Sequence, residues 1–219
     1  MNIVQPSSKI ILPETLNDSL RRIEYAARIS HRSEFSMSLN EEDGTTEKFI
    51  RAVVISHGDW SVTEHVSASV EFLIDRGVSH ELVRHRLFSF TQESTRFVNY
   101  TKRIGLNFIS PFDAGTEEYI TWDFSMCESE SMYNKLIADG VRPQEARSVL
   151  PNSLASKIIM TGNLRNWRHF LLMRTTKESH PQMRQVTIPL LAEFQKAVPI
   201  LFDDIEPNMR QVDNIKKGR

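Results

Sequence analysis

A chain of 219 residues with 40% hydrophobic and 25% charged positions has the balance of a folded globular protein, and it is long enough for one sizeable core, read as a single domain over residues 1–219. Its formal net charge of −1 excludes a protein built to coat nucleic acid or an anionic membrane, so any anion site must be local. Cys127 is the only cysteine, which excludes an intrachain disulfide, a zinc ribbon and an iron–sulfur cluster; with no stretch of membrane-spanning length and no basic, apolar leader over Met1 to Leu12, a reducing, cytoplasmic location is expected.

The first helix is expected from Leu16 to Arg28, where Leu16, Leu20, Ile23 and Ala27 recur at helical spacing behind Asn17, Asp18 and Ser19. Ser33 to Gly44 has no apolar period and reads as a loop. Thr45 or Thr46 is expected to cap a second helix that buries Phe49, Ile50, Val53 and Val54 and stops at His57 and Gly58. Strict alternation from Val66 to Ile74 predicts a strand with one buried face. Asp75, Arg76 and Gly77 then form a turn, and Ser79 is expected to cap a short helix that ends near Arg84, His85 and Arg86.

Ser129 to Asp139 predicts a helix stopped by Gly140, and Pro143 opens another that runs to Leu150. Asn163 to Thr175 carries the strongest amphipathic stripe, with Leu164, Trp167, Phe170 and Leu171. A last helix is expected after Pro189, carrying Leu190, Leu191, Phe194, Val198 and Leu201, before a frayed tail from Lys216 to Arg219. Few strands, many helices and no regular βαβ alternation predict an α+β fold with a small sheet surrounded by helices.

No two glycines stand as Gly-x-Gly, which excludes a Rossmann fingerprint and a Walker A loop. There is no His-Glu-x-x-His pair, and His80 and His85 are five apart, a poor chelating interval, so no metal site is expected. The densest chemistry lies from Arg84 to Arg96, where three arginines and several hydroxyl and amide groups surround Phe88 and Phe90. Arginine forks suit phosphate oxygens, and Ser, Thr and Gln can read the amide-like edge of a base or a flavin ring. A helix end whose arginines merely pair with Glu81 and Glu93 would give the same pattern.

A second set comprises Arg147, Asn163, Arg165, His169 and Arg174. On an ideal helix Asn163 and Arg174 share a face about 16 Å apart, whereas Arg165 points the opposite way. One compact site can use all three only if Asn163 precedes the helix or if different subunits share them; a solvated basic helix is the plain alternative.

The run from Arg84 to Ser94 matches the Arg-His-Arg-x7-Ser signature, and with it the chain resembles the flavin-dependent thymidylate synthases. Ala26-Ala27-Arg28-Ile29-Ser30, Glu64-His65, Arg147 with Leu150-Pro151, and Asn163-x-Arg165 with Arg174 extend the likeness over most of the chain. The resemblance implies an α/β-type homotetramer with active sites at subunit interfaces, which converts dUMP to dTMP using FAD, NADPH and methylenetetrahydrofolate. It implies FAD contacts from Ser61, Arg84, His85, Arg86, Gln92, Asn163, Arg165 and His169. It implies dUMP contacts from Glu81, Arg84, Gln92, Glu93, Ser94, Arg96, Arg147 and Arg174, with Arg174 as the catalytic residue.

Three positions depart from the family pattern: Phe97 stands where Tyr is usual, Glu81 where Gln is frequent, and His169 where Asn can occur. Cys127 lies outside every matched motif, so no covalent thiolate chemistry is expected of it. Two rival readings are weaker. An RNA- or nucleotide-binding module would use Phe88, Phe90 and Phe97 as stacking platforms, and a nucleotide phosphohydrolase would need a metal cluster that the sequence does not supply.

Overall fold

Two short strands, β1 (Asn2–Ile3) and β2 (Ser7–Ile11), precede a 3-10 turn at Pro13–Leu16 and helix α1 (Ser19–Ile29). The computed structural model describes residues 1–38, 44–102 and 105–210. Leu16 is buried within the turn, so α1 starts three residues later than expected and buries Ile23, Glu24 and Ala27. The expected loop from Ser33 holds a 3-10 turn at Glu34–Ser36, and its residues 39–43 lie outside the described residues, as does the expected frayed tail.

Helix α2 (Thr45–Ile50) is entered through Gly44 at φ 70°, with no side-chain cap, so neither Thr45 nor Thr46 caps it. Glycine takes a left-handed φ at no steric cost, which lets the chain turn into the helix. The helix widens into a π-helical stretch, Arg51–Ser56; of the four residues expected on its buried face Ile50 and Val54 are buried, while Phe49 and Val53 are only partly so. A 3-10 segment, Trp60–His65, leads to β3 (Ser67–Asp75), whose Ala68, Val70, Phe72 and Ile74 are all buried.

Helix α3 (Arg76–Leu82) is capped by the Asp75 carboxylate, which accepts from the Val78 amide at 2.7 Å. The expected cap, Ser79, is instead a buried helical residue whose hydroxyl donates to the Arg76 carbonyl. A carboxylate at the strand–helix junction satisfies an orphan N–H and meets the positive end of the helix dipole. The basic triplet Arg84-His85-Arg86 follows the end of α3, as its position in the sequence requires.

Strand β4 (Ser89–Gln92) and short β5 (Asn107–Phe108) come next, then α4 (Glu117–Ala138), which begins twelve residues before the expected Ser129. Thr116 caps it by accepting from the Tyr119 amide at 3.1 Å. Its buried residues Trp122, Met126 and Tyr133 keep helical spacing, but Ile120, Phe124 and Cys127 on the exposed side blur the amphipathic contrast. Helix α5 (Pro143–Ala146) opens on its proline and passes into a 3-10 turn, Arg147–Val149.

Strand β6 (Ala155–Asn163) runs into α6 (Leu164–Arg174). The next helix, α7 (Pro181–Ala197), starts eight residues before Pro189 and keeps that proline inside; α8 (Pro199–Phe202) carries Leu201 separately. Pro181 is tolerated at the first turn, where no amide partner is needed, and the His180 ring accepts from the Gln182 amide at 3.2 Å.

Strands β2, β3, β6 and β4 form one sheet in that order, and β1 pairs in parallel with β5, Asn2 opposite Asn107. The chain divides into two compact units. The first comprises Met1–Ser7, Phe72–Arg84 and Phe90–Ile159; the second comprises Ser8–Glu71, His85–Ser89 and the described residues from Met160 onward. The first unit has a core of Tyr100, Leu106, Phe108, Trp122, Met126, Tyr133 and Leu154. In the second, Trp167 packs on Phe194 with ring centroids 5.4 Å apart, and Phe194 packs on Phe202.

Candidate active site

In the second unit, Asn163 is the N-cap of α6, its side-chain oxygen accepting from the Asn166 amide at 2.9 Å. It therefore precedes the helix and is not bound to the face of Arg174, but Arg165 and Arg174 both lie within α6 and still point to opposite sides of it. The Asn166 amide group donates to the Leu87 carbonyl at 3.0 Å and ties the loop after the basic triplet to the helix. Gly162 completes that tie. A Cβ there would collide with the Phe88 ring, which packs edge-to-face on Trp167 at 4.9 Å.

His85 comes from this loop and Arg174 from the last turn of α6, where the Arg174 carbonyl is held by the Thr187 hydroxyl at 2.9 Å. Arg174 Nε donates to His85 Nε2 at 2.9 Å, and the His85 ring meets Phe170 edge-on at 4.9 Å. Burial, then the Arg174 charge, then His169 lower the His85 pKa to about 4. The ring is neutral near pH 7, and because Nε2 accepts, the proton sits on Nδ1.

At the start of α6, Arg165 Nη1 meets Glu64 Oε1 at 2.6 Å, with both side chains about half exposed. Such a pair adds little stability, but it fixes where the guanidinium lies. Arg165 and His169 line one cavity of about 380 Å3 with Trp60, Glu64, Leu87 and Asn166. Arg168, on the same wall, is committed to structure: it pairs with Asp204 at 2.5 Å and lies 4.4 Å over the Trp60 ring. Ser61 is exposed on the 3-10 segment beside Trp60, and Arg86 is exposed in the loop.

The first unit holds the other assigned residues. Glu81 is half-buried near the end of α3, and Arg84 is exposed just beyond it. Gln92 Nε2 donates to Ser79 Oγ at 3.0 Å and to Ser156 Oγ at 3.1 Å, both serines being buried. Glu93 Oε1 accepts from the buried Tyr100 hydroxyl at 2.7 Å. Burial, and then this bond to Glu93, hold the phenol in its protonated form. Ser94 Oγ accepts from the Arg96 amide at 3.3 Å and starts a tight turn. At the departure from the family pattern, the Arg96 guanidinium lies 5.1 Å over the exposed Phe97 ring, a contact that a tyrosine ring would offer as well. Arg147 Nη1 donates to Thr95 Oγ1 at 3.2 Å beside a second cavity.

The structure thus brings together His85 with Arg174, Arg165 with His169, and Arg147 with the residue after Ser94. Trp60, Arg76 and Tyr100 were not singled out in the sequence. Trp60 precedes the assigned Ser61, and Arg76 sits in an Asp-Arg-Gly run that reads only as a turn. Of the three rings of the RNA-binding alternative, Phe88 packs on Trp167 and Phe170, whereas Phe97 is exposed.

The family model for thymidylate synthase complementing protein matches residues 11–200. A flavin-dependent thymidylate synthase of Pyrococcus furiosus is 33% identical over 196 residues, covering 86% of this chain and 77% of that one. One from Corynebacterium aurimucosum is 32% identical over 208 residues, covering 87% and 82%. The crystal structure of the UMP/dUMP methylase PolB from Streptomyces cacaoi, bound with 5-Br dUMP, has a like fold, with a TM-score of 0.74 over 93% of this chain and 96% of that one at 23% identity. A family match across most of the chain, with relatives above 30% identity over nearly the same span, means that this chain belongs to the thymidylate synthase complementing protein family, that of the flavin-dependent thymidylate synthases.

Proposed function

We propose that this chain methylates dUMP to dTMP, with methylenetetrahydrofolate as carbon donor and NADPH as the source of reducing equivalents through FAD. The observation that carries the reading is the reach of the family match, residues 11–200, which takes in every residue assigned to the site. The residues also fit a flavin. The cavity lined by Trp60, Leu87, Arg165 and His169 offers aromatic and apolar walls for a ring and a guanidinium for an anionic group, and its 380 Å3 suits one part of the cofactor rather than the whole.

FAD when bound supplies the hydride, and the protein supplies binding, orientation and charge. Ser61, Arg84, His85, Arg86, Gln92, Asn163, Arg165 and His169 hold the cofactor. Glu81, Arg84, Gln92, Glu93, Ser94, Arg96, Arg147 and Arg174 hold dUMP. Arg174 does the electrostatic work: its charge beside the pyrimidine favours loss of the N3 proton and makes the ring richer in electrons. His85 fixes the edge of that guanidinium through Nε, which sets the plane of its two Nη groups.

The chain acts as a single catalytic domain in a cytoplasmic homotetramer, with no nucleic acid or membrane as partner. Support for assembly is the exposed stripe of Ile120, Phe124 and Cys127 on α4, more apolar than a lone solvated helix needs. Among the described residues no helix is long and apolar enough to cross a membrane. The test is direct. The purified protein is expected to show an oxidised-flavin absorption spectrum and to form dTMP from dUMP, methylenetetrahydrofolate and NADPH; a colourless protein that ignores added FAD and forms no dTMP would sink the reading.

A further inference from the structure

Within the first compact unit, Gln92 Nε2 lies 3.0 Å from Ser79 Oγ and 3.1 Å from Ser156 Oγ. The two serines come from different elements, α3 and β6, and both are buried. The Ser79 hydroxyl is already committed: it donates to the Arg76 carbonyl at 2.9 Å, and a carbonyl can only accept. Towards Gln92, Ser79 therefore offers a lone pair and no proton, so the amide must turn its NH2 group to it and not its oxygen. The same nitrogen meets Ser156, which occupies the second proton. The backbone is pinned beside it, the Glu93 amide donating to the Lys157 carbonyl of β6 at 2.8 Å.

With the nitrogen facing the serines, the oxygen faces away from them. Gln92 is half-buried, and among the described residues its side-chain oxygen is neither bonded nor enclosed. An amide free to rotate suits a donor or an acceptor alike; one held through both protons presents an acceptor only. We infer that Ser79 and Ser156 are positioning residues that hold Gln92 in this one orientation, so that position 92 selects a hydrogen-bond donor on the nucleotide, the sugar 3′-hydroxyl or the base N3–H. This rests on the reading of Gln92 as a dUMP contact, and it gives two buried serines outside the sequence motifs control over what that contact accepts. An analogue without the donor is rejected, because the Gln92 oxygen then loses water without gaining a partner.

The experiment is isothermal titration of dUMP, its 3′-fluoro analogue and dCMP into the FAD-loaded wild type, Ser79→Ala, Ser156→Ala and the double variant, with flavin absorbance and thermal melting as checks on integrity. The fluoro analogue replaces the hydroxyl donor by an acceptor, and dCMP carries a lone pair where dUMP carries N3–H. The wild type is expected to bind at least one of them on the order of tenfold more weakly than dUMP. Each single variant should shrink that ratio, and the double variant should bring it near one, because the released amide can turn its NH2 group outward. The analogue whose ratio collapses identifies the donor. Loss of packing alone would weaken all three ligands together and leave the ratios as they were. If the double variant does not fold, the single variants carry the same test with a smaller shift. Ratios that do not fall in any folded serine variant, or a wild type that binds dUMP and both analogues alike, overturn the role of the serines. A wild type that binds no dUMP overturns the functional reading itself.

Discussion

His85 and Arg174, 89 positions apart in the chain, are joined by a bond of 2.9 Å in which a desolvated imidazole accepts from the edge of a guanidinium. The bond needs a neutral ring, and the ring is kept neutral by burial and by the very charge it positions, with His169 adding a smaller push in the same sense.

The pH dependence follows from the sign of that shift. His85 titrates at about 4 in the folded protein, below the ordinary 6.5, so between these values the unfolded chain binds more protons. Its contribution is therefore full above about pH 6.5 and is lost as pH falls through 4; partial exposure of the ring limits it to on the order of 1–2 kcal/mol. Denaturant unfolding across pH 4–7 should show this loss in the wild type and a flatter profile in His85→Phe, which keeps the packing on Phe170 but not the acceptor. The same variant should lose kcat more than dUMP affinity. Identical pH profiles for the two proteins would remove His85 as the cause.

Arg174→Ala is expected to lower kcat by on the order of a hundredfold and to weaken dUMP, since the charge matters most as negative charge develops on the ring. Arg174→Lys should restore part, because an ammonium lacks the planar fork. Steady-state kinetics with flavin occupancy read from absorbance decide it. Wild-type kcat at saturating dUMP in Arg174→Ala would reduce the residue to a binding role.

Gly162→Ala forces a methyl group into the Phe88 ring. The rest of the His85 to Ser89 loop must move with it, at a cost of about 1–3 kcal/mol. Chemical denaturation should report the loss, and FAD uptake should weaken in parallel. A variant as stable as wild type would mean that the loop yields more readily than the packing suggests.

Cys127→Ser should keep most dTMP formation. The thiol is exposed on α4, and none of the residues assigned to the site neighbours it in the sequence. A folded, FAD-loaded variant without turnover would point to covalent thiolate chemistry.

Strand β3 was legible because its inward side is Ala68, Val70, Phe72 and Ile74, apolar at every second position. Strand β6 was not, although it also alternates: its inward side includes Ser156, while Ile159 points out. That polar inward position is one of the two serines that hold Gln92, so the feature that hid the strand positions a residue proposed for the site. Strand β4 was hidden inside the signature itself, where Ser89, Thr91 and Gln92 read as chemistry before they read as a ladder. The start of α7 was missed because Pro189 reads as a boundary, while packing of Met183, Val186 and Leu190 carries the helix through it. Motif arginines were visible as residue types; which of them share a cavity, and that Arg76 joins Arg147, depends on long-range folding that spacing does not encode.

Arg165 carries its own counter-ion in Glu64, whereas Arg76 and Arg147 line a cavity without one. An anion arriving at Arg165 exchanges one negative partner for another, so little net charge is neutralised and dissolved ions have little to compete for. At the other cavity, mobile anions from solution are the competitors, and their activity sets how much of the arginine charge remains for the ligand. Raising ionic strength should therefore loosen the grip on any anion at Arg76 and Arg147 more steeply than the grip on an anionic group at Arg165, giving one protein two different sensitivities to salt.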